Sequence, residues 1–288
     1  MGGDVSSMAI SRDGSFILAG GDDKSRTALV WDVATGQLRG KPLTDHQKEI
    51  SAAAISPDGK YAITGDGKGI AVVWNLVDYT RQYTFTGHTD KINSVTYSRD
   101  GSMALSASRD KTVLLWNTST GEVIHTYKGH TGNVRSAVFS PDEKQIVSAA
   151  VDGAIILWDV TSEQQIKTFR GQTGEIWQAV FLPDGKSILS AADDTSIVMW
   201  DIATGEQIRR YLAHTLAARD VAISPDGQTF LSASNDATLI LWRLESQKEL
   251  FDWTSANRYT SELTCQQRQM YTIEPLCNPS AVTSMPIP

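Results

Sequence analysis

Histidine, serine and aspartate are the residue types from which this chain could build a catalytic or metal-binding site. A histidine held by an aspartate can activate a serine hydroxyl, and neighbouring histidines can bind a metal ion. The chain has five histidines. His46, His88, His130 and His214 each stand at the same offset before a short apolar segment, which indicates a repeated structural role. Only His125 lies elsewhere, so neither a histidine pair nor a Ser-His-Asp set remains for chemistry.

The aspartates lead to the same interpretation. Asp110, Asp152, Asp194 and Asp236 occur once per repeated segment, in equivalent turns, whereas a catalytic pair of carboxylates breaks such symmetry. The glycine-rich stretch 65–69 suggests a phosphate loop, but no predicted helix follows it. We therefore predict that the protein is not an enzyme and that it has no catalytic residue, no cofactor and no metal.

Six tryptophans reveal the repeat that positions these residues. They recur at intervals of 42 or 43 residues, which indicates one supersecondary unit copied six times. The six are Trp31, Trp74, Trp116, Trp158, Trp200 and Trp242.

Each unit has the pattern of four short β-strands. In the third unit, polar turns separate apolar runs at 92–97, 103–108, 113–116 and 123–127. A turn of the Ser-Pro-Asp-Gly type, as at 56–59, joins the first two strands of a unit. The third run is apolar at both odd and even positions, which is typical of a strand buried on both faces. Such units can pack only against one another around an axis, so we predict a β-propeller.

The repeated motifs resemble those of the WD-repeat family. A Gly-His pair at 87–88 is followed by Trp-Asn at 116–117, and Gly-His at 129–130 by Trp-Asp at 158–159. The resemblance covers residues 1–254 and implies an all-β fold, a β-propeller of six four-stranded antiparallel blades. The segment after the repeats is similar to tails of some bacterial multidomain proteins of this family.

The resemblance also implies a buried hydrogen-bonded set of His, Ser or Thr, Asp and Trp in each blade. Left unpaired, each of these groups would cost about 1 to 3 kcal/mol to bury. Three blades have the whole set, namely His88, Ser106, Asp110 and Trp116; His130, Ser148, Asp152 and Trp158; and His214, Ser232, Asp236 and Trp242.

Blades 1, 2 and 5 depart from this set. The first has Ala19 in place of Ser and has no His, the second has Lys68 at the Asp position, and the fifth has Gln172 at the His position. We expect these three blades to be the least stable.

Composition narrows the classes of partner. The formal net charge is −7, which argues against nucleic-acid binding through a basic face. No apolar run approaches the roughly 20 residues that span a bilayer, so no membrane association is expected. The only cysteines are Cys265 and Cys277, outside the repeats, which favours a cytoplasmic location. They could form a disulfide or half a metal site, and we favour two buried thiols.

The ends of the array leave two arrangements open. We assign 1–254 to the propeller, with 248–253 as the outer strand of blade 6, 255–277 to a short helical C-terminal extension, and 278–288 to a disordered tail. If blades 1 and 6 meet face to face, the ring is closed and the protein is a monomer. If the ring stays open and awaits a seventh blade, a dimer is expected.

Residues that differ between blades on an exposed rim are the candidates for partner recognition. In the family that the chain resembles, the rim near the histidines, the top rim, most often binds peptides. At the position of Trp177 the other blades have Ser51, Asn93, Arg135 and Arg219. We expect Trp177 to anchor a partner between two arginines, the alternative being that its indole folds onto the neighbouring blade. The full set of rim positions is Trp177, Arg135, Arg219, Arg109, Lys91, Asn93, Glu175, Asp193, Asn235 and Glu49.

We thus expect a non-enzymatic scaffold or sensor module that binds a protein or peptide on its top rim. Two alternatives remain open. One is a structural fragment of a seven-bladed or multidomain signalling protein, and the other is a propeller enzyme with its active site in the channel.

Overall fold

The computed structural model describes residues 4–244. These residues form 23 β-strands and no helix. The strands form six separate antiparallel sheets in chain order, and each sheet is one blade. The predicted all-β propeller of six blades is therefore confirmed.

The first three blades have four strands each. Blade 1 comprises β1 (Val5–Ile10), β2 (Phe16–Gly21), β3 (Ala28–Asp32) and β4 (Leu38–Leu43). Blade 2 comprises β5 (Ile50–Ile55), β6 (Tyr61–Asp66), β7 (Ile70–Asn75) and β8 (Thr80–Thr86). Blade 3 comprises β9 (Ile92–Tyr97), β10 (Met103–Ser108), β11 (Thr112–Asn117) and β12 (Val123–Lys128).

The remaining blades continue the pattern. Blade 4 comprises β13 (Val134–Phe139), β14 (Gln145–Ala150), β15 (Ile155–Asp159) and β16 (Gln165–Phe169). Blade 5 comprises β17 (Ile176–Phe181), β18 (Ser187–Ala192), β19 (Ile197–Asp201) and β20 (Gln207–Tyr211). Blade 6 comprises β21 (Ala218–Ile223), β22 (Thr229–Ser234) and β23 (Leu239–Arg243). Its predicted outer strand at 248–253, the helical extension at 255–277 and the tail at 278–288 lie outside the described residues.

Apolar faces hold neighbouring blades together. Between blades 4 and 5, for example, Val147 and Leu157 pack in one cluster with Ile176, Phe181 and Trp200. Equivalent clusters join blades 1 and 2, blades 2 and 3, and blades 3 and 4. In blades 2 to 5 the two central strands are buried on both faces, as their apolar residues at both odd and even positions predict.

The Ser-Pro-Asp-Gly turns close by side-chain hydrogen bonds to the backbone. In blade 2 the hydroxyl of Ser56 donates to Asp58 and accepts the N–H of Tyr61. Gly59 has a φ of 70°, in the left-handed region that glycine adopts without a steric penalty. Glu143 occupies the same turn position in blade 4 with a φ of 59°.

The first strand of each blade lines a central channel. Residues near the ends of all six inner strands surround a cavity of about 780 Å³ at one mouth of this channel. The inner strands begin at the opposite mouth, which is the top rim. The second and third residues of each inner strand therefore lie close to the top rim.

Candidate functional site

Three blades contain the predicted His-Ser-Asp-Trp set within hydrogen-bond distance. In blade 4, Ser148 Oγ lies 2.8 Å from Trp158 Nε1 and 2.8 Å from His130 Nε2. The other ring nitrogen of His130 lies 3.2 Å from Asp152. Blades 3 and 6 repeat this arrangement with His88 and His214.

The direction of these hydrogen bonds follows from their donors. An indole N–H can only donate, so the serine oxygen accepts it, and an ionised carboxylate can only accept, so Nδ1 of the imidazole is the donor to the aspartate and Nε2 of the neutral ring accepts from the serine hydroxyl. The imidazole then carries its hydrogen on Nδ1 and donates it to the carboxylate. Every polar atom of the set therefore has a partner, which removes the cost of burying it.

The order Ser, His, Asp is also that of a hydrolytic triad, but the serines are inaccessible. Ser106, Ser148 and Ser232 are fully buried, and each already accepts a tryptophan N–H. A nucleophile must reach its substrate, and these hydroxyls cannot. The three sets therefore hold their blades together.

The carboxylates of these sets are strongly ionised. Burial disfavours the charge of Asp110, but hydrogen bonds from His88 and Thr112 outweigh it and hold its pKa far below the ordinary value. Burial is likewise outweighed at Asp152, mainly by its hydrogen bond to His130, and its pKa is also far below the ordinary value.

The structure corrects the sequence interpretation of blade 2. The aspartate of its hydrogen-bonded set is Asp66, and not the residue at position 68. Asp66 is buried and lies 3.1 Å from Nδ1 of His46, whose Nε2 lies 2.6 Å from the hydroxyl of Thr64. That hydroxyl accepts the N–H of Trp74 at 2.7 Å. The set of blade 2 is therefore complete. Its acid stands two positions earlier, where blade 3 has Ser108, although the turn after β6 keeps the backbone hydrogen bond and the left-handed residue of the equivalent turn in blade 3. Lys68 is exposed.

Blade 5 rebuilds the set around its glutamine. Gln172 accepts a hydrogen bond from Ser190, which in turn accepts the N–H of Trp200. The amide nitrogen of Gln172 donates to Ser196, whose hydroxyl donates to Asp194. Ser196 thus supplies the link that a histidine makes elsewhere. Among the described residues, blade 1 alone has no such set.

The top rim brings Trp177 together with two arginines from neighbouring blades. Arg135 Cζ lies 4.0 Å and Arg219 Cζ 3.6 Å from the centroid of the indole ring. The indole N–H donates to Asp193 at 2.6 Å, and Arg135 donates to Glu175 at 2.6 Å. We call these five residues the rim stack. It joins blades 4, 5 and 6 across the channel mouth.

The rim stack differs from the arrangement expected of a free tryptophan anchor. Stacked guanidinium groups cover the ring of Trp177, so its faces are in contact with residues of neighbouring blades. Cation–π pairs of this type stabilise by about 0.5 to 2 kcal/mol. What remains accessible is a rigid assembly of guanidinium edges, carboxylates and an indole edge.

The remaining predicted rim residues have varied surroundings. Glu49 and Lys91 form an ion pair at 2.8 Å between blades 2 and 3. Asn93 donates to the carbonyl of Val134 and so belongs to the contact between blades 3 and 4. Arg109 and Asn235 are exposed, and Asn235 accepts a hydrogen bond from Arg219.

Sequence reasoning missed the third residue of each inner strand. A pocket of about 390 Å³ beside the rim stack is lined by Ser94, Ser136, Gln178 and Asp220 from four consecutive blades. These residues also occur at the repeat period, so aligning the six units would have revealed them. They are serine in blades 3 and 4 but glutamine and aspartate in blades 5 and 6, and they form the floor of the top rim.

Neither a metal centre nor a membrane-spanning helix appears in the described part of the chain. Among residues 4–244, no three His, Cys, Asp or Glu side chains are grouped so as to hold a metal ion. No helix of these residues has the length and apolar character needed to cross a membrane. Cys265 and Cys277 lie outside the described residues.

Comparison with protein-family models identifies the repeat. The model of the WD domain, G-beta repeat, matches the chain six times in succession and covers most of its length. The matched segments are residues 2–32, 37–75, 79–117, 121–159, 163–201 and 205–243.

Proposed function

The chain belongs to the WD-repeat family, and from this premise we propose that it is a non-enzymatic scaffold or sensor module that binds a peptide or protein through its top rim. Propellers of this family commonly mediate protein–protein interaction. We expect this module to act in the cytoplasm, in signalling.

The observation that carries the proposal is the rim stack. Trp177 and the two arginines are the residue types most enriched among interface hot spots. Their mutual contacts and their hydrogen bonds to Glu175 and Asp193 fix them before a partner arrives. Preorganised side chains lose little conformational entropy on binding, so more of the contact energy appears as affinity.

The geometry also supports a particular mode of contact with the partner. Since guanidinium groups cover the indole, a partner meets the edges of the two arginines and the adjoining pocket floor. Guanidinium N–H groups donate to carboxylates or to backbone carbonyls. An extended peptide that crosses the channel mouth therefore satisfies this site better than an aromatic side chain stacked on Trp177.

Peptide-display selection on the 288-residue chain tests this proposal. Selected peptides should bind Trp177→Ala and Arg219→Ala at least tenfold more weakly than the wild type, since loss of one hot-spot contact costs about 1.4 kcal/mol or more. Arg209→Ala is a matched control. Arg209 also lies over an aromatic ring, that of Tyr211, but both residues lie on the outer strand of blade 5, away from the top rim.

Isothermal titration with each selected peptide supplies the affinities, and circular dichroism shows whether each variant is folded. Peptides that bind the rim variants and the wild type equally would place the binding surface elsewhere. The proposal would then fail.

A further inference from the structure

Two apolar sheet faces of the propeller are exposed, one on blade 1 and one on blade 6. On blade 6, Leu239 is 68 % exposed and Leu241 69 %. The equivalent residues in blade 4, Ile155 and Leu157, are 1 % and 0 % exposed because blade 5 covers them. These residues occupy equivalent positions and are apolar in both blades. Their exposure therefore differs only because blade 5 covers blade 4, whereas no neighbouring blade covers Leu239 and Leu241 in the described residues.

Blade 1 exposes the opposite face of the repeat. Its inner strand carries Val5, Met8 and Ile10, all more than half exposed, and Met8 is 67 % exposed. In blade 5, Ala179 takes the place of Met8 and is fully buried against blade 4. Blades 1 and 6 therefore do not cover each other as the other neighbouring blades do.

A series of side-chain hydrogen bonds links each inner strand to the inner strand of the next blade, and this ladder ends at blade 6. The hydroxyl of Ser136 accepts the N–H of Ala179, and the side-chain oxygen of Gln178 accepts the N–H of Val221. Asp220 is the next residue in this series. Within residues 4–244 no further inner strand donates an N–H to Asp220. The side chain of Asp220 is therefore the last acceptor of the ladder, and no following blade supplies its donor.

Blade 1 begins the ladder in a complementary way. Ser7 donates to the carbonyl of Ile50, Ser51 to that of Ile92, and Asn93 to that of Val134. In every case the acceptor is the first residue of the next inner strand. Val5 is likewise the first residue of its inner strand, so its carbonyl is the equivalent acceptor for a side-chain donor from a preceding blade.

We propose that a partner polypeptide fills the space between blades 6 and 1 with a β-unit that is apolar on both faces. Such a unit continues the established blade interface on both sides. Its inner strand donates an N–H to Asp220, and a hydroxyl or amide side chain donates to the carbonyl of Val5. A second copy of the propeller is a poorer occupant, because its terminal blades each have only one uncovered face.

A labelled synthetic polypeptide with the sequence of residues 172–213 serves as the probe, since the fifth blade carries both required faces. We expect saturable binding to the 288-residue chain, measured by fluorescence anisotropy. Leu241→Lys and Met8→Lys should each weaken binding at least tenfold, because each places a charge on one of the two apolar faces. A polypeptide of the same composition in scrambled order should not bind.

Val77→Lys is the matched control substitution. Val77 is 73 % exposed in a turn of blade 2, so its replacement adds the same charge away from both faces and should change affinity less than twofold. All three substituted positions are exposed, and each variant should therefore fold.

Several results would overturn the proposal. Absence of saturable binding would do so, as would binding that neither lysine variant weakens. Hydrogen exchange that shows both faces protected in an isolated monomer would mean that they are covered from within the chain. A dimer that Leu241→Lys dissociates would assign the faces to a second copy.

Discussion

At the scale of single residues, the same side-chain types serve stability in the blades and recognition at the rim. His88, Ser106 and Asp110 have the connectivity of a catalytic triad, yet the tryptophan N–H and complete burial make Ser106 a structural acceptor. Trp177 lies outside the tryptophan period and is held by two arginines. Accessibility, more than residue type, separates the two roles.

Asp66 gives the first prediction at this scale. Asp66→Asn should lower the free energy of unfolding at pH 7 by about 1 to 3 kcal/mol, since it removes a buried charged acceptor. Lys68→Ala should change it by less than about 0.5 kcal/mol, as is usual at exposed positions. Urea titration of both variants and the wild type measures the difference.

The same variant has an expected pH dependence. Burial opposes ionisation of Asp66, but hydrogen bonds from His46 and the backbone of Ile70 outweigh it and lower its pKa. The folded protein thus binds fewer protons here than the unfolded chain, so this stabilisation is present above about pH 4 and is lost as pH falls further. The difference between wild type and Asp66→Asn should shrink below pH 4. A difference that stays constant down to pH 2 would contradict this assignment.

At the scale of elements, inner strands are joined by side chains that bond to the backbone of the next blade. Five successive contacts between neighbouring inner strands use Ser, Asn or Gln for this purpose. The donors and acceptors satisfy backbone groups that face the channel and that no strand pairing reaches. These positions therefore couple neighbouring blades, and Asn93, Ser136 and Gln178 also line the pocket at the top rim.

Gln178 tests this coupling. Gln178→Ala removes the acceptor of the Val221 N–H and should cost about 1 kcal/mol of unfolding free energy. The Val221 amide should also exchange its hydrogen faster, as measured by NMR. Gln178→Glu keeps an acceptor at the same place and should restore slow exchange. Unchanged exchange in Gln178→Ala would show that the contact does not hold the two blades together.

At the scale of the whole propeller, the blades are unequal because their neighbours differ. Blades 2 to 5 are covered on both faces, whereas blades 1 and 6 each leave one face exposed. In repeat proteins, stability comes from each unit and from its interfaces with adjacent units. We expect the loss of one interface to lower stability more than the loss of one hydrogen-bonded set within a blade.

Hydrogen exchange across the propeller tests whether the terminal blades 1 and 6 are less stable than blades 2 to 5. Amides of β10 and β14 should exchange at least tenfold more slowly than equivalent amides of β2 and β22, the second strands of the terminal blades, because opening a terminal blade breaks fewer apolar contacts. Mass spectrometry of proteolytic fragments can follow all these strands in one experiment. Uniform protection of the six blades would contradict the prediction.

The sequence alone determined the repeat, the all-β class and the number of blades, because strand pattern and turn chemistry are local and recur at a fixed period. It also identified the hydrogen-bonded sets where spacing is regular. It misassigned blade 2, since the turn after β6 keeps its conformation and the period is unaltered while the acid stands at Asp66, where blade 3 has Ser108. Spacing alone cannot show that a carboxylate at this second position of the turn also reaches the histidine. Likewise Ser196, which links Gln172 to Asp194 in blade 5, stands where blades 3 and 6 have Thr112 and Thr238 and is not one of the four residues of the motif.

Tertiary structure decided what depends on distance between blades. Arg135, Trp177 and Arg219 lie about 42 residues apart in the chain, and only the arrangement of blades brings their side chains into one stack. The exposed faces of blades 1 and 6 carry the same apolar pattern as buried faces elsewhere. No sequence period distinguishes them, because burial is a property of what packs against a residue and not of the residue itself.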